Sequence, residues 1–262
     1  MFTRQILNAL STGNLFLQDL PEAPCFDQST LHVPDVHKPL NLEQKLGHLY
    51  EDGLSQLLEK SVQYELLERG LQLQRGRHET VGELDFLFRD TLSERLIHLE
   101  LAVKFYLAIE SPDGLLLPGP NSRDNFYNKL QRLRTHQLTL TTRFQDLLPA
   151  RYQSERIHPE HLVIGCLFDH ISAQAQATPE YIHSHVRRAH WLRQSEFPIH
   201  FPDCTSPLVI PKPLWPVENP LESQLEPFDL EAPISRCTML KIPNQHKPIF
   251  ITPDTYPVQP TS

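Results

Sequence analysis

Two neighbouring stretches alternate so regularly between apolar and polar residues that the chain has little choice but to build a sheet around them. Residues 82–90 read GELDFLFRD and residues 96–107 read LIHLELAVKFYL. Successive side chains of an extended chain point to opposite faces. The later stretch therefore places Ile97, Leu99, Leu101, Val103 and Phe105 on one side, and His98, Glu100, Ala102 and Lys104 on the other. The earlier one places Leu84, Phe86 and Phe88 on one side, and Glu83 and Asp85 on the other. The link between them, residues 90–94 (DTLSE), is short and turn-like, so the two are expected to pair as an antiparallel hairpin.

A single amphipathic strand with its polar face in water would carry such charges too. Two acidic faces on adjacent strands are more specific, because Asp85 and Glu100 would converge. Converging carboxylates raise one another's pKa unless a divalent cation neutralises them. Mg²⁺ and Mn²⁺ take oxygen ligands of this kind, usually one or two carboxylates with water and substrate phosphate completing the shell. A metal site is therefore expected here.

The whole chain sets bounds on this expectation. Its 262 residues suffice for one sizeable core, or a core and a smaller lobe. The hydrophobic share of 39% is low and the 24 prolines are many, so part of the chain should be irregular. That part is local, since fourteen of the 24 prolines lie between Pro198 and Pro260. One strand near PLVI is expected there, followed by an extended tail that wraps the core or is partly disordered. A net charge of −8 argues against a wholesale basic surface for nucleic acid but leaves room for a local basic groove. The four cysteines form no Cys-x-x-Cys pair, which suggests neither a zinc ribbon nor a disulfide framework and fits reduced thiols in a cytoplasmic protein. No window approaches the length needed to cross a bilayer, and no secretory leader is evident, so no membrane partner is expected.

Along the chain, a short helix and turn within residues 4–20 lead into a loop to residue 40. Asn41 offers a helix N-cap with Gln44 three positions on, and Leu46, Leu49, Tyr50, Leu54, Leu57 and Leu58 recur at helical spacing, with Glu51 on the polar border. Strands are expected in VQYELLERG and LQLQRG, then the acidic hairpin. Residues 123–138 form a basic amphipathic helix carrying Lys129, Arg132 and Arg134, and HLVIGCLFDH reads as a strand. The signal Thr178-Pro179-Glu180 starts a further expected helix in TPEYIHSHVRRAHWLRQSEF. There are no internal repeats. The division expected is residues 1–40 as an N-terminal helix and loop, 41–197 as the core and 198–262 as a Pro-rich extension.

This order of helix, strands, acidic hairpin, helix and strand resembles the PD-(D/E)XK nuclease-like superfamily, and the correspondence spans roughly residues 41–170. The blocks LGHLYEDG, GELDFLFRD, HLELAVKFYL, GPNSRDNFYNKLQRLRTHQL and IPKPLWPVENP look like those of an uncharacterised bacterial domain-of-unknown-function family placed in that superfamily. The resemblance implies an α/β (α+β) fold with a restriction-endonuclease-like core, α-β-β-β-α-β, around a mixed central sheet. It also implies metal-assisted phosphodiester hydrolysis with Mg²⁺ or Mn²⁺ as cofactor. By position, Glu51 matches the helix carboxylate that joins the metal site, Asp85 the first acid of the motif and Glu100 the second. Lys104 stands for the lysine that orients water or steadies the phosphate. The motif places that lysine two residues after the acid, where this chain has Ala102. Lys104 keeps the same face but lies about 13 Å of strand from Glu100.

Other residues have competing readings. His98 on the acidic face suits a ligand or base, although a lone histidine on a strand is more often a hydrogen-bonding partner. Glu83 shares the face of Asp85 or simply begins the strand at a solvated edge. Lys129, Arg132 and Arg134 suit phosphate contacts, and equally a solvated helix face. Arg187, Arg188, His190, Trp191 and Arg193 mix cations with an aromatic ring, for which a core role of the tryptophan is the better reading. His183-x-His185 lacks partners at zinc spacing, and neither a Gly-rich phosphate loop nor a Gly-x-Ser-x-Gly elbow is present. Two functions fit: a metal-dependent nuclease acting on DNA or RNA, or a non-catalytic module of the same fold that binds nucleic acid or a protein partner. The sequence does not set the oligomeric state.

Overall fold

The computed structural model describes residues 1–76, 79–174 and 178–257. Helix α1 (Phe2–Thr12) and helix α2 (Leu46–Glu59) precede three long strands, β1 (Tyr64–Arg75), β2 (Glu79–Asp90) and β3 (Leu96–Ser111). The short β4 (Gly114–Leu116), helix α3 (Phe126–Thr135) and the single-turn α4 (Leu140–Arg143) lead to β5 (Ile157–His170) and β6 (Arg188–Arg193). A short α5 (Phe197–His200) is followed by β7 (Leu208–Ile210), β8 (Glu226–Pro227), β9 (Thr238–Lys241) and β10 (Ile249–Thr252). The ten strands form one mixed sheet in the order β1-β2-β3-β5-β6-β10-β9-β7-β8, with β4 hydrogen-bonded to β3.

The acidic hairpin forms as expected: β2 and β3 are antiparallel from Arg89↔Leu96 to Phe86↔Leu99. Strand β3 then runs parallel to β5 along nearly its whole length, from Leu96↔Ile157 to Ala108↔Asp169. A parallel pair is buried on both faces, which is why β5 reads as a near-continuous apolar run from Leu162 to Phe168 and why even His98 and Glu100, on the polar face of the alternating β3, are buried. On one face Ile97, Leu99, Phe105 and Leu107 pack with α1 and α2 through Leu7, Leu10, Tyr50 and Leu54. On the other, Tyr106 and Ala108 pack with Phe126, Leu130 and Leu133 of α3 and with Phe16 and Leu17 from the segment after α1.

Four local expectations change. Asn41 does not cap α2, which starts after Lys45; its side chain instead accepts from the Glu43 N–H at 3.1 Å, closing a turn before the helix. Leu84 leaves the face of Phe86 and joins Leu87 in a separate cluster with Leu140 and Leu148. This change of face coincides with Gly70, at φ +62° in β1 between the pairs Arg69↔Phe86 and Leu71↔Leu84. The segment expected as a helix over 178–197 is a loop followed by β6, paired in parallel with β5 on one side and β10 on the other. Ladder bonds on both edges and the burial of Ala189, Trp191 and Leu192 outweigh the Thr-Pro-Glu signal. Finally, the Pro-rich segment from residue 198 is no outer tail, because it supplies β7 to β10 of the sheet. Phe250 and Ile251 are fully buried, and Pro248 and Pro253 bracket their strand without interrupting it. Residues 258–262 of that segment lie outside the described residues.

Helix α3 starts three residues later than the expected 123 and is capped by Asn125, whose side chain accepts from the Tyr127 N–H at 2.9 Å. Asn125→Ala should cost about 1 kcal/mol in urea unfolding, the usual penalty for losing such a cap. No helix among the described residues is long and apolar enough to cross a membrane.

Candidate functional site

The site begins where the hairpin opens. The β2–β3 ladder ends at Phe86↔Leu99, so the next residues in register, Asp85 and Glu100, face each other across two strands that part. Asp85 spans the fork, with its Oδ2 accepting the Leu101 N–H at 2.9 Å where a strand carbonyl would otherwise serve. A cavity of about 270 Å³ opens there, with Glu51, Asp85, Glu100 and Lys104 in its wall. Lys129, Arg132 and Gln137 close it from the α3 side, and Phe16, Tyr106 and Phe126 supply apolar surface.

Burial shapes its electrostatics. The Asp85 carboxyl is pushed up to about 8, first by burial and then by the field of Glu100, with smaller contributions from Glu51 and Glu83. The Leu101 N–H works against this rise by favouring the carboxylate. Without a cation, Asp85 thus holds a proton near neutral pH. Glu100 is 2% exposed and held at both oxygens, by His98 Nε2 at 2.7 Å on Oε1 and by Gln137 Nε2 at 2.5 Å on Oε2. His98 is fully buried and its Nδ1 has no partner. It stands behind Glu100 as a hydrogen-bonding partner and is absent from the cavity wall.

Lys104 lines the same cavity two residues beyond Ala102. Its Nζ lies 3.9 Å from Asp124 Oδ2, and Lys129 Nζ lies 3.8 Å from Oδ1 of the same carboxylate. Burial holds the Lys104 ammonium below its ordinary pKa, Asp124 opposes that shift and Lys129 adds to it. Glu51 sits in the wall with its carboxylate turned toward His48 Nδ1 at 3.2 Å and Arg69 at 4.0 Å. Glu83 is exposed, accepts from Gln72 at 3.4 Å and does not line the cavity. The three cations of α3 separate: Lys129 and Arg132 line the cavity, while Arg134 forks onto Glu22 with two bonds of 2.8 Å and lies over the Tyr181 ring. Gln137 and Asp124 escape sequence reasoning. Both fall in the stretch expected as a helix over 123–138, but α3 spans only Phe126–Thr135, so each lies just beyond a helix end, where the 3.6-residue period no longer sets its direction.

The donor set suits a hard dication in one particular way. Among the described residues, no group of three or more His, Cys, Asp or Glu side chains is gathered closely enough to hold a metal ion. A buried carboxylate, Glu100, and a half-buried one, Asp85, whose pKa is raised first by desolvation, match the pattern of one or two protein ligands with water and substrate phosphate supplying the rest. Each oxygen of Glu100 keeps a second lone pair beyond its present bond. Glu51, committed to His48 and Arg69, fits less well than Asp85 and Glu100.

A family model described as Domain of unknown function (DUF1853) matches residues 15–238. The chain belongs to the DUF1853 family. Every residue lining the acidic cavity lies within the matched part of this DUF1853 chain, whereas α1 and β10 lie outside it. No curated protein and no solved structure matches it.

Proposed function

We propose that this DUF1853 protein is a metal-dependent nuclease that hydrolyses phosphodiester bonds of nucleic acid, built on a restriction-endonuclease-like core. The observation that carries the reading is the fork between β2 and β3, where Asp85 and Glu100 share one cavity with Lys104. Support in the fold comes from the order α2, β1, β2, β3, α3, β5, with the short β4 and α4 interposed and with β3 and β5 parallel, which resembles the helix and strand order of the PD-(D/E)XK core.

In this reading Asp85 and Glu100 hold Mg²⁺ or Mn²⁺, which when bound lowers the pKa of water and offsets charge developing on the phosphate. His98 and Gln137 fix the Glu100 carboxylate, as outer partners of metal ligands do. Lys104, partly desolvated, faces the phosphate with its ammonium, and Lys129 and Arg132 draw the nucleic-acid backbone toward the cavity. A second reading, a non-catalytic module of this fold that binds nucleic acid or a protein partner, is favoured by one observation: the Lys104 ammonium lies beside Asp124, beyond the usual lysine position.

Incubation with labelled DNA and RNA separates the two. A nuclease cleaves one of them with Mn²⁺, stops in EDTA and is silenced by Asp85→Asn. Absence of cleavage of both substrates by the unaltered chain would overturn the nuclease reading in favour of the binding module.

A further inference from the structure

A second cavity, of about 630 Å³, adjoins the acidic one, and Lys104 lies in the wall of both. Its volume falls in the range of about 300–1,000 Å³ that ligand sites occupy. The apolar part is formed by the exposed margins of the largely buried Phe105 and Trp215, each 6% exposed, with the half-buried Val209 beside them. Trp215 is fixed in place: its Nε1 donates to the Ile210 carbonyl at 2.9 Å, and its ring meets Phe105 and Phe250 edge-on with centroids 5.4 and 5.0 Å apart. The charged part is Lys104, Lys212 and Arg236 against a single carboxylate, Asp124. Lys212 and Arg236 are exposed, and among the described residues neither has an ion-pair partner, while the Lys212 ammonium stands over the Trp215 ring, 5.8 Å from its centre. In a chain of net charge −8, three cations to one carboxylate around an apolar floor is a local reversal of sign.

We infer that this second cavity receives the unpaired nucleotides flanking the phosphate held in the acidic cavity, so that the substrate is single-stranded nucleic acid. The inference names the substrate of the proposed nuclease site and rests on that reading. The apolar floor decides between strands and duplexes. An unpaired base offers a bare ring face to apolar and aromatic surface, whereas the base faces of a duplex are covered by stacking and only phosphates and groove edges remain. The rim cations suit the phosphates on either side of such a base. DNA and RNA strands share this chemistry, and their binding must be compared directly.

The test is fluorescence anisotropy in EDTA, where no cleavage intervenes, using labelled oligothymidylate, oligouridylate and a duplex of mixed sequence. Binding of one or both single strands, tighter than binding of the duplex, is expected, and the tighter strand names the sugar. In Lys212→Glu/Arg236→Glu, single-strand affinity should fall at least about tenfold at 0.1 M salt. The slope of log affinity against log salt should shrink by about 1.4, that is, about 0.7 for each of the two cations. Both side chains are exposed on the rim, and an unchanged thermal melt confirms the fold of the variant. A duplex bound as tightly as the strands, no binding of either strand, or affinity indifferent to the double substitution would overturn the inference. Failure of the nuclease reading looks different. A chain that binds strands through Lys212 and Arg236 but cleaves nothing with Mn²⁺ overturns the nuclease and leaves the single-strand site standing. Cleavage lost in Asp85→Asn, with binding indifferent to the rim, does the reverse.

Discussion

Asp85→Asn is expected to lower Mn²⁺-dependent cleavage roughly a thousandfold, the scale on which removing a central charge-stabilising group acts, while leaving the protein no less stable. The two halves of this outcome have the same cause. The half-buried Asp85 carboxyl, beside Glu100, has its pKa raised to about 8, from an ordinary value near 3.8. The folded chain therefore binds a proton that the unfolded chain releases, and without metal this group's contribution to stability is full below about pH 4 and is lost as pH rises through 8. Between pH 6 and 9 in EDTA the loss amounts to roughly 2–3 kcal/mol, from about 1.4 kcal/mol per pH unit below the folded pKa. Asparagine keeps an oxygen to accept the Leu101 N–H and has no charge to desolvate, so the difference between wild type and variant should widen toward pH 9. Urea unfolding at pH 6 and pH 9 measures it. A variant that loses stability equally at both pH values would contradict the raised pKa, and a variant that still cleaves would remove Asp85 from the site.

Gly165→Ala is expected to cost about 3 kcal/mol or more, at the upper end of what overpacking does. Gly165 lies in β5 opposite Lys104 of β3, and a Cβ added there would overlap the carbonyl oxygen of Lys104. That atom belongs to the backbone of a neighbouring strand, so no side chain can swing aside to relieve the overlap. The strands must separate at the point where β3 presents Lys104 to the cavity. Loss of activity should accompany loss of stability, and a chemical unfolding curve together with the Mn²⁺ cleavage assay would record both. Alanine accommodated at this position with neither effect would show that β3 and β5 approach less closely than described.

How much of this was legible in residues 82–107 depends on which property is meant. The alternation there placed Asp85 and Glu100 on facing strands and Lys104 on the same side as Glu100, because a pleated strand turns each side chain through half a revolution and parity survives over many residues. Parity failed at Leu84, next to the left-handed Gly70 of the partner strand, a backbone feature that leaves no trace in the sequence of β2. The helical signal after Thr178 failed for a different reason. Local propensity there is a matter of tenths of a kcal/mol per residue, and a strand position bonded on both edges outweighs it. Proline count misled for the C-terminal segment, since it reports that chain reversals are frequent and says nothing about the buried runs between them, such as Phe250 and Ile251.

The order of residues along the chain was enough to specify the hairpin, its acidic face, the helix bearing Glu51 and the basic helix after it, because each follows from contacts between positions close in sequence. What closed the cavity came from folding alone: Gln137 on Glu100, Asp124 between Lys104 and Lys129, Arg134 drawn away to Glu22, and Trp215 beneath the second cavity. These partners are separated by as many as 112 residues. Side-chain periodicity encodes only which way a residue points, and which distant segment it meets is set by how the layers stack once apolar surface is buried.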